Sequence, residues 1–156
     1  MAGVESRVIE NWNRSRKSAI GRRLFSRAIG RAARYTGTIR AQVEELEAGR
    51  SLVTMKDRKA IRNHLRSVHA VALTNLIELT GSLAIIGSLP PKTRMIPIRL
   101  ETDFVKKGRG LMTAEGRCSI PESNEEAELS AEVLIRDPSG DEVARGKVTV
   151  KIGPRD

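Results

Sequence analysis

Two hydrophobic periods take turns along this chain. Over residues 5–34 apolar side chains recur at helical spacing. Val8 and Trp12 are four apart, Ile20, Leu24 and Ala28 keep that step, and Phe25, Ile29 and Ala32 or Ala33 widen the stripe. The opposite face is rich in Arg, and Gly21 and Gly30 are places where this helix is expected to split. From about Gly37 the period becomes two: Ile39, Ala41 and Val43 alternate with polar residues. Leu52–Met55 follows the turn at Ala48–Gly49, so two strands are predicted. Lys59–His69 is polar and irregular. Ala70–Gly87 is one apolar run and predicts a helix with little polar surface. After Pro90–Pro91 alternation returns, with Ile96, Ile98, Leu100, Thr102 and Phe104 predicted on one face and Arg99, Glu101 and Asp103 on the other. Gly108–Gly110 marks a turn, and Leu111–Ile120 reads as a strand. Leu129, Ala131, Val133 and Ile135 alternate again, and Asp137-Pro138-Ser139-Gly140 is a tight turn before a last strand, Val143–Ile152.

This order, a basic helix, two strands, an apolar helix and four strands, predicts an α+β fold with a largely antiparallel sheet. The apolar helix needs cover on most of its surface, and one curled sheet supplies it. About 18 residues at 1.5 Å each give roughly 27 Å, enough to span such a sheet. The same run makes a poor membrane span, because Asn75, Glu78 and several Ser and Thr interrupt it.

Composition narrows the function classes. With 156 residues the chain fits one domain with a real core, and only 3% aromatic residues leave that core to aliphatic side chains. A single cysteine, Cys118, excludes an internal disulfide framework. Together with only two histidines, His64 and His69, it argues against a metal site. The net charge of +9 is uneven: residues 1–40 carry ten Arg or Lys against Glu5 and Glu10. The basic arm, residues 1–36, is therefore separated from a body of residues 37–156. The arm lacks a recognisable nucleic-acid reader, and no nucleic-acid partner is expected. Three readings of it stay open: its apolar stripe packs on the body with Arg outward, residues 1–34 lie on an anionic membrane surface, or it is a cleaved organelle presequence. No secretory signal is evident, so a cytoplasmic protein is expected.

The candidate chemistry centres on Glu78, the one acid between Asp57 and Glu101. A carboxylate in an apolar helix must be paired, neutralised or used. A structural role, paired with an Arg or Asn63 at an interface, and a catalytic role are both open. Ser67 lacks the Gly-x-Ser-x-Gly setting of a hydrolase nucleophile, and Cys118 has no base indicated nearby.

The stretch Asn63-His64-Leu65-Arg66-Ser67-Val68-His69-Ala70, with Glu78 nine residues beyond His69, resembles the stretch that enters the central helix of hotdog-fold thioesterases of the phenylacetate-pathway type. More widely, Leu24-Phe25-Ser26-Arg27, Tyr35-Thr36-Gly37, Arg62-Asn63-His64-Leu65, Val68-His69-Ala70 and Phe104-Val105-Lys106-Lys107-Gly108-Arg109-Gly110 resemble a subfamily catalogued only as a domain of unknown function, over roughly residues 20–152. The resemblance implies a hotdog fold, a curved antiparallel sheet around one helix. It implies hydrolysis of an acyl-coenzyme A, with Glu78 as base or nucleophile and the Ala70 N–H as oxyanion donor. Asn63 would position the acid or a water, and His69 would sit at the helix start. A Glu78 buried there would have a raised pKa. Lys106, Lys107, Arg109 and Arg66 are candidates for the coenzyme A phosphates, and coenzyme A enters only as part of the substrate, with no resident cofactor. Glu78 and His69 lie half a turn apart in azimuth and some 13 Å along the axis, so the resemblance implies a site shared across a homodimer or dimer of dimers. The sequence departs from the thioesterase pattern at Arg66, where Gly is frequent, at Ala70-Val71, which replace Gly-Gly, and at Pro97, where relatives place Ser or Thr. Three functions follow: an acyl-coenzyme A thioesterase, a non-catalytic acyl-thioester or lipid-binding protein, and a membrane- or RNA-associated scaffold acting through the arm.

Overall fold

The computed structural model describes residues 4–155, with side chains from Arg7 onward. Residues 1–3 of the arm, the side chain of Glu5 and the final Asp156 lie outside the described residues. Three helices, α1 (Val4–Ser15), α2 (Ala19–Ala32) and α3 (Ala70–Ile86), accompany six strands: β1 (Gln42–Glu47), β2 (Arg50–Met55), β3 (Thr93–Phe104), β4 (Met112–Cys118), β5 (Ala127–Arg136) and β6 (Glu142–Pro154). The strands form one antiparallel sheet in the order β1-β2-β4-β5-β6-β3.

The sheet curls around α3. Alternation puts Leu129, Ala131, Val133 and Ile135 of β5 opposite Val150, Val148, Gly146 and Ala144 of β6. The side chains in this set are buried, while Glu128, Glu132, Lys147 and Lys151 point outward. Helix and sheet approach closely because small residues line the seam. A Cβ on Gly81 would stand 2.5 Å from a Val148 methyl, and one on Gly116 would stand 3.0 Å from the Thr80 carbonyl oxygen. Leu76, Ile77, Ala84 and Ile85 of α3 are fully buried.

The arm is two helices, not one. The expected split at Gly21 falls slightly earlier, where Ser18 caps α2 by accepting from the Gly21 N–H at 3.0 Å. Gly21 is needed at the break, since a Cβ there would lie 2.1 Å from the Ser15 carbonyl oxygen. No break occurs at Gly30. The arm packs on the β1 edge through Trp12 and Phe25, whose rings meet edge-on at 5.1 Å. Burying these two rings contributes on the order of 2–3 kcal/mol each. Ser26 accepts from the Val43 N–H at 2.9 Å, so the arm also satisfies an edge donor of β1. The sequence stripe is only half right: Ile20, Leu24 and Ala28 face solvent, and the buried side of α2 is Phe25, Ser26 and Ile29.

Two further expectations fail for local reasons. Ile39 does not begin a strand. Thr36–Ile39 is a 3-10 turn ending on Arg40 at φ 49°, and β1 starts at Gln42. In β3 a bulge between Pro97 and Arg99 shifts the phase of alternation. Pro97 pairs with Val150, and beyond the bulge Leu100, Thr102 and Phe104 pair with Val148, Gly146 and Ala144. Leu100, Thr102 and Phe104 thus lie on the α3 side of the sheet, with Leu100 and Phe104 still exposed, whereas Ile96, opposite Lys151, lies on the other side. Pro97 has no N–H for a ladder and is tolerated because β3 is an edge strand.

Candidate active site

The start of α3 is built by the loop before it. Asn63 Oδ1 accepts from the Leu65 N–H (2.9 Å), the Ser67 N–H (3.3 Å) and the Ser67 hydroxyl (3.1 Å), cinching residues 63–67 into a tight loop. The Ser67 hydroxyl is thereby committed to a structural bond. Asn63 Nδ2 has no hydrogen-bond partner among the described residues. Two backbone bonds anchor the loop: Val68 N–H to the Gly108 carbonyl (2.9 Å) and His69 N–H to the Ile61 carbonyl (2.8 Å).

His69 is the N-cap of α3. Its backbone is extended, and Nδ1 accepts from the Val71 N–H at 3.0 Å. The His69 carbonyl accepts from the N–H groups of Ala72 and Leu73. A helix start leaves its first N–H groups without intrahelical acceptors. Here all but one are satisfied, and the Ala70 N–H has no partner among the described residues. Ala70 is exposed, so this donor is open to a bound group carrying partial negative charge.

Glu78 lies eight residues on, about 12 Å along the helix axis. It belongs to the one stripe of α3 that the sheet leaves uncovered: Val71 is 50% exposed, and Thr74 and Glu78 are half-buried. Glu78 is therefore only half-buried within the chain. Its Oε1 accepts from the Ser82 hydroxyl at 3.0 Å, and Oε2 has no partner among the described residues. Ser82, nine-tenths buried, holds the carboxylate one turn back along the helix. Sequence reasoning passed over it, although an acid followed by Ser at i+4 is the signal that such a bond is available.

The four basic candidates separate into two roles. Lys106 bridges Asp137 and Asp141 of the β5–β6 turn at 2.7 Å each, so it pins the β3–β4 loop. At the loop's other end the Gly110 N–H donates to Asp57 Oδ2 (3.2 Å), and Arg62 Nε donates to Asp57 Oδ1 (2.7 Å). Asp57 was not singled out from sequence, and only its neighbours in space disclose its role. Between these anchors, and beside the α3 loop through the Val68–Gly108 bond, Lys107 and Arg109 are exposed, and no ion pair at salt-bridge distance holds either among the described residues. Arg66 is likewise exposed and stands at φ 56°. Among the described residues no group of three or more His, Cys, Asp or Glu could hold a metal ion.

Two expectations follow from these details. The Arg62 guanidinium, helped by the Gly110 N–H, holds the Asp57 carboxyl below its ordinary 3.8, and the Lys106 ammonium does the same for Asp137. A depressed carboxyl contributes stability above its unfolded value and loses it as pH falls through the folded one. Both anchors should therefore be complete above about pH 4 and release only in stronger acid. Asp57→Asn should remove the Asp57 share of that acid sensitivity, leaving the Lys106–Asp137 share, and cost on the order of 1 kcal/mol in denaturant unfolding at neutral pH. Arg66 occupies a left-handed conformation that costs a non-glycine residue roughly 1 kcal/mol. Arg66→Gly should raise stability by about 0.5 kcal/mol after the entropy of the freer unfolded chain is subtracted, readable as a higher melting temperature.

Comparison with known proteins bears on the family and the fold. A family described as Domain of unknown function (DUF4442) matches residues 21–152. The chain belongs to that family. Among solved structures it is similar to one described only by a genomics designation, at 24% identity and TM-score 0.80, covering 97% of this chain and 99% of the other. It is similar to a Pseudomonas aeruginosa protein of unknown function described as a probable thioesterase, at 22% identity and TM-score 0.72, covering 85% and 93%. It also resembles a hypothetical thioesterase from Streptococcus pneumoniae solved with coenzyme A, at 18% identity and TM-score 0.60, covering 74% and 91%. No curated protein matches. The family membership and the sheet wrapped on α3 make this a hotdog fold, and the match begins inside α2, so part of the arm is a family element.

Proposed function

We propose that the protein hydrolyses the thioester of an acyl-coenzyme A at a site shared between two copies of the chain. The observation that carries this reading is that one N–H without a partner among the described residues, at Ala70, and one carboxylate, Glu78, lie on the same helix, the carboxylate on its uncovered stripe. The two are about 12 Å apart along the axis, too far to act on one carbonyl. A second copy related by a twofold axis brings one helix's Glu78 to the other's helix start.

In that arrangement the Ala70 N–H holds the thioester oxygen as charge develops on it. Glu78 takes a proton from a water whose oxygen bonds to the carbonyl carbon. Collapse of the tetrahedral species breaks the carbon–sulfur bond. The coenzyme A sulfur leaves with the proton, and the free acid remains. Asn63 Nδ2 orients the water, while Arg66, Lys107 and Arg109 face the phosphates. The Streptococcus relative with coenzyme A supports this substrate class.

Strand β3 supports the dimer. It is a twelve-residue edge strand with Ile96, Ile98, Leu100 and Phe104 all more than 40% exposed. A long apolar edge of that kind is an aggregation hazard unless another chain covers it. Leu100→Arg with Phe104→Arg should give a monomer in size-exclusion chromatography with light scattering, and turnover should disappear with the dimer.

The test is a panel of acyl-coenzyme A esters of graded chain length, assayed for release of the thiol. Turnover of none of them, at enzyme concentrations that bind the esters in calorimetry, would leave the second reading, a non-catalytic acyl-thioester-binding protein. The exposed side chain of Val71, one residue past the donor, is the feature that favours it.

A further inference from the structure

Helix α2 is fixed to the body by one face and presents a quite different one to solvent. Phe25, Ser26 and Ile29 face β1, and Arg22 reaches Glu44. At 100° per residue, Ile20, Leu24, Arg27 and Arg31 fall within an arc of about 60° on the opposite side. Ile20 is 71% and Leu24 57% exposed, and Tyr35 just past the helix is 68% exposed. Arg23, Arg27, Arg31 and Arg34 are exposed and have no carboxylate within salt-bridge distance among the described residues. The helix itself contains no acid.

We propose that this face of α2 docks on an anionic phospholipid surface. Two properties of the face choose that occupant. The unpaired arginines match a layer of phosphate headgroups, and such residues contribute about 1 kcal/mol each near a charged membrane. The two aliphatic side chains interleaved with arginines in the arc gain by entering the acyl boundary, as in helices that lie in the membrane interface. A nucleic acid satisfies the arginines but offers Ile20 and Leu24 nothing. An acidic protein surface leaves the aliphatic pair solvated unless it carries a matching apolar pocket. Because Phe25 and the Ser26–Val43 bond hold the helix from behind, the face is presented rigidly, without unfolding of the arm. Among the described residues no helix is long and apolar enough to cross a membrane, so the contact is peripheral. It does not depend on the thioesterase reading.

The experiment is sedimentation of the full chain with vesicles of phosphatidylcholine alone and of phosphatidylcholine mixed with phosphatidylglycerol. Binding is expected to the mixed vesicles only and should weaken as salt is raised. Arg27→Gln with Arg31→Gln should lower partitioning about 30-fold. Ile20→Ser with Leu24→Ser should lower it about tenfold while circular dichroism and the unfolding curve stay at wild-type values. Equal sedimentation with both vesicle types, or wild-type binding by the arginine variant, overturns the proposal. So does a face that binds duplex oligonucleotide or a second copy of the chain but no vesicles.

Discussion

Glu78→Gln is expected to leave the fold and the dimer unchanged and to lower turnover of the best acyl-coenzyme A by about 100-fold or more, within the range of a positioned general base. Glutamine keeps the shape of the side chain, and its amide oxygen still accepts from Ser82, so packing around α3 has no reason to change. What it loses is the ability to take a proton. The loss should therefore appear in kcat, with KM close to the wild-type value, because in the proposed mechanism Glu78 acts on the water and not on the phosphates. Wild-type kcat in this variant would remove Glu78 from the mechanism. A variant that no longer folds would show itself in the unfolding curve and would be replaced by Glu78→Ala.

The second large effect concerns a single hydrogen. Ala70→Pro removes the Ala70 N–H and little else. Proline is favoured in the first turn of a helix, and the residue before it must be extended, as His69 already is at φ −65° and ψ 140°. Loss of an oxyanion donor costs about 100-fold to 1000-fold in kcat. The pair of variants then tests the shared site. Glu78→Gln and Ala70→Pro are each nearly inactive alone. When their dimers are mixed and exchanged, every mixed dimer has one site with both groups intact, so about a quarter of wild-type activity should return. No recovery, in mixtures shown to exchange subunits, would place acid and donor within one chain and defeat the shared-site geometry.

The sheet, the central helix and the order of elements were legible because each rests on a period that burial enforces. Leu129, Ala131, Val133 and Ile135 alternate since one face of β5 lies against α3. The misread elements are those in which another constraint prevails. Alternation through Ile96 and Phe104 looked unbroken, but a bulge beside Pro97 changes the facing without changing the pattern of residue types. The stripe of Ile20, Leu24 and Ala28 has helical spacing, yet Phe25 and Ile29 compete for the same core and fill it with larger surfaces. At the site, Asn63, His69, Ala70 and Glu78 stood out through the resemblance of their stretch to the helix entry of hotdog thioesterases. Their support did not: Asp57 reaches Gly110 across 53 positions and Lys106 reaches Asp141 across 35, and no local pattern announces bonds of that range.

Among the described residues strand β3 pairs only with β6, and Thr93 finds its partner at Pro154. During synthesis β3 therefore emerges well before the strand that will hold it, while β4 and β5 are made and close on each other as a hairpin. For that interval the more apolar edge of the sheet lacks its neighbour β6. Non-local pairings of this kind slow folding and expose chains to mispairing. Yield in a cell should thus depend more on how fast the last strand is made and captured than on the stability of the finished sheet.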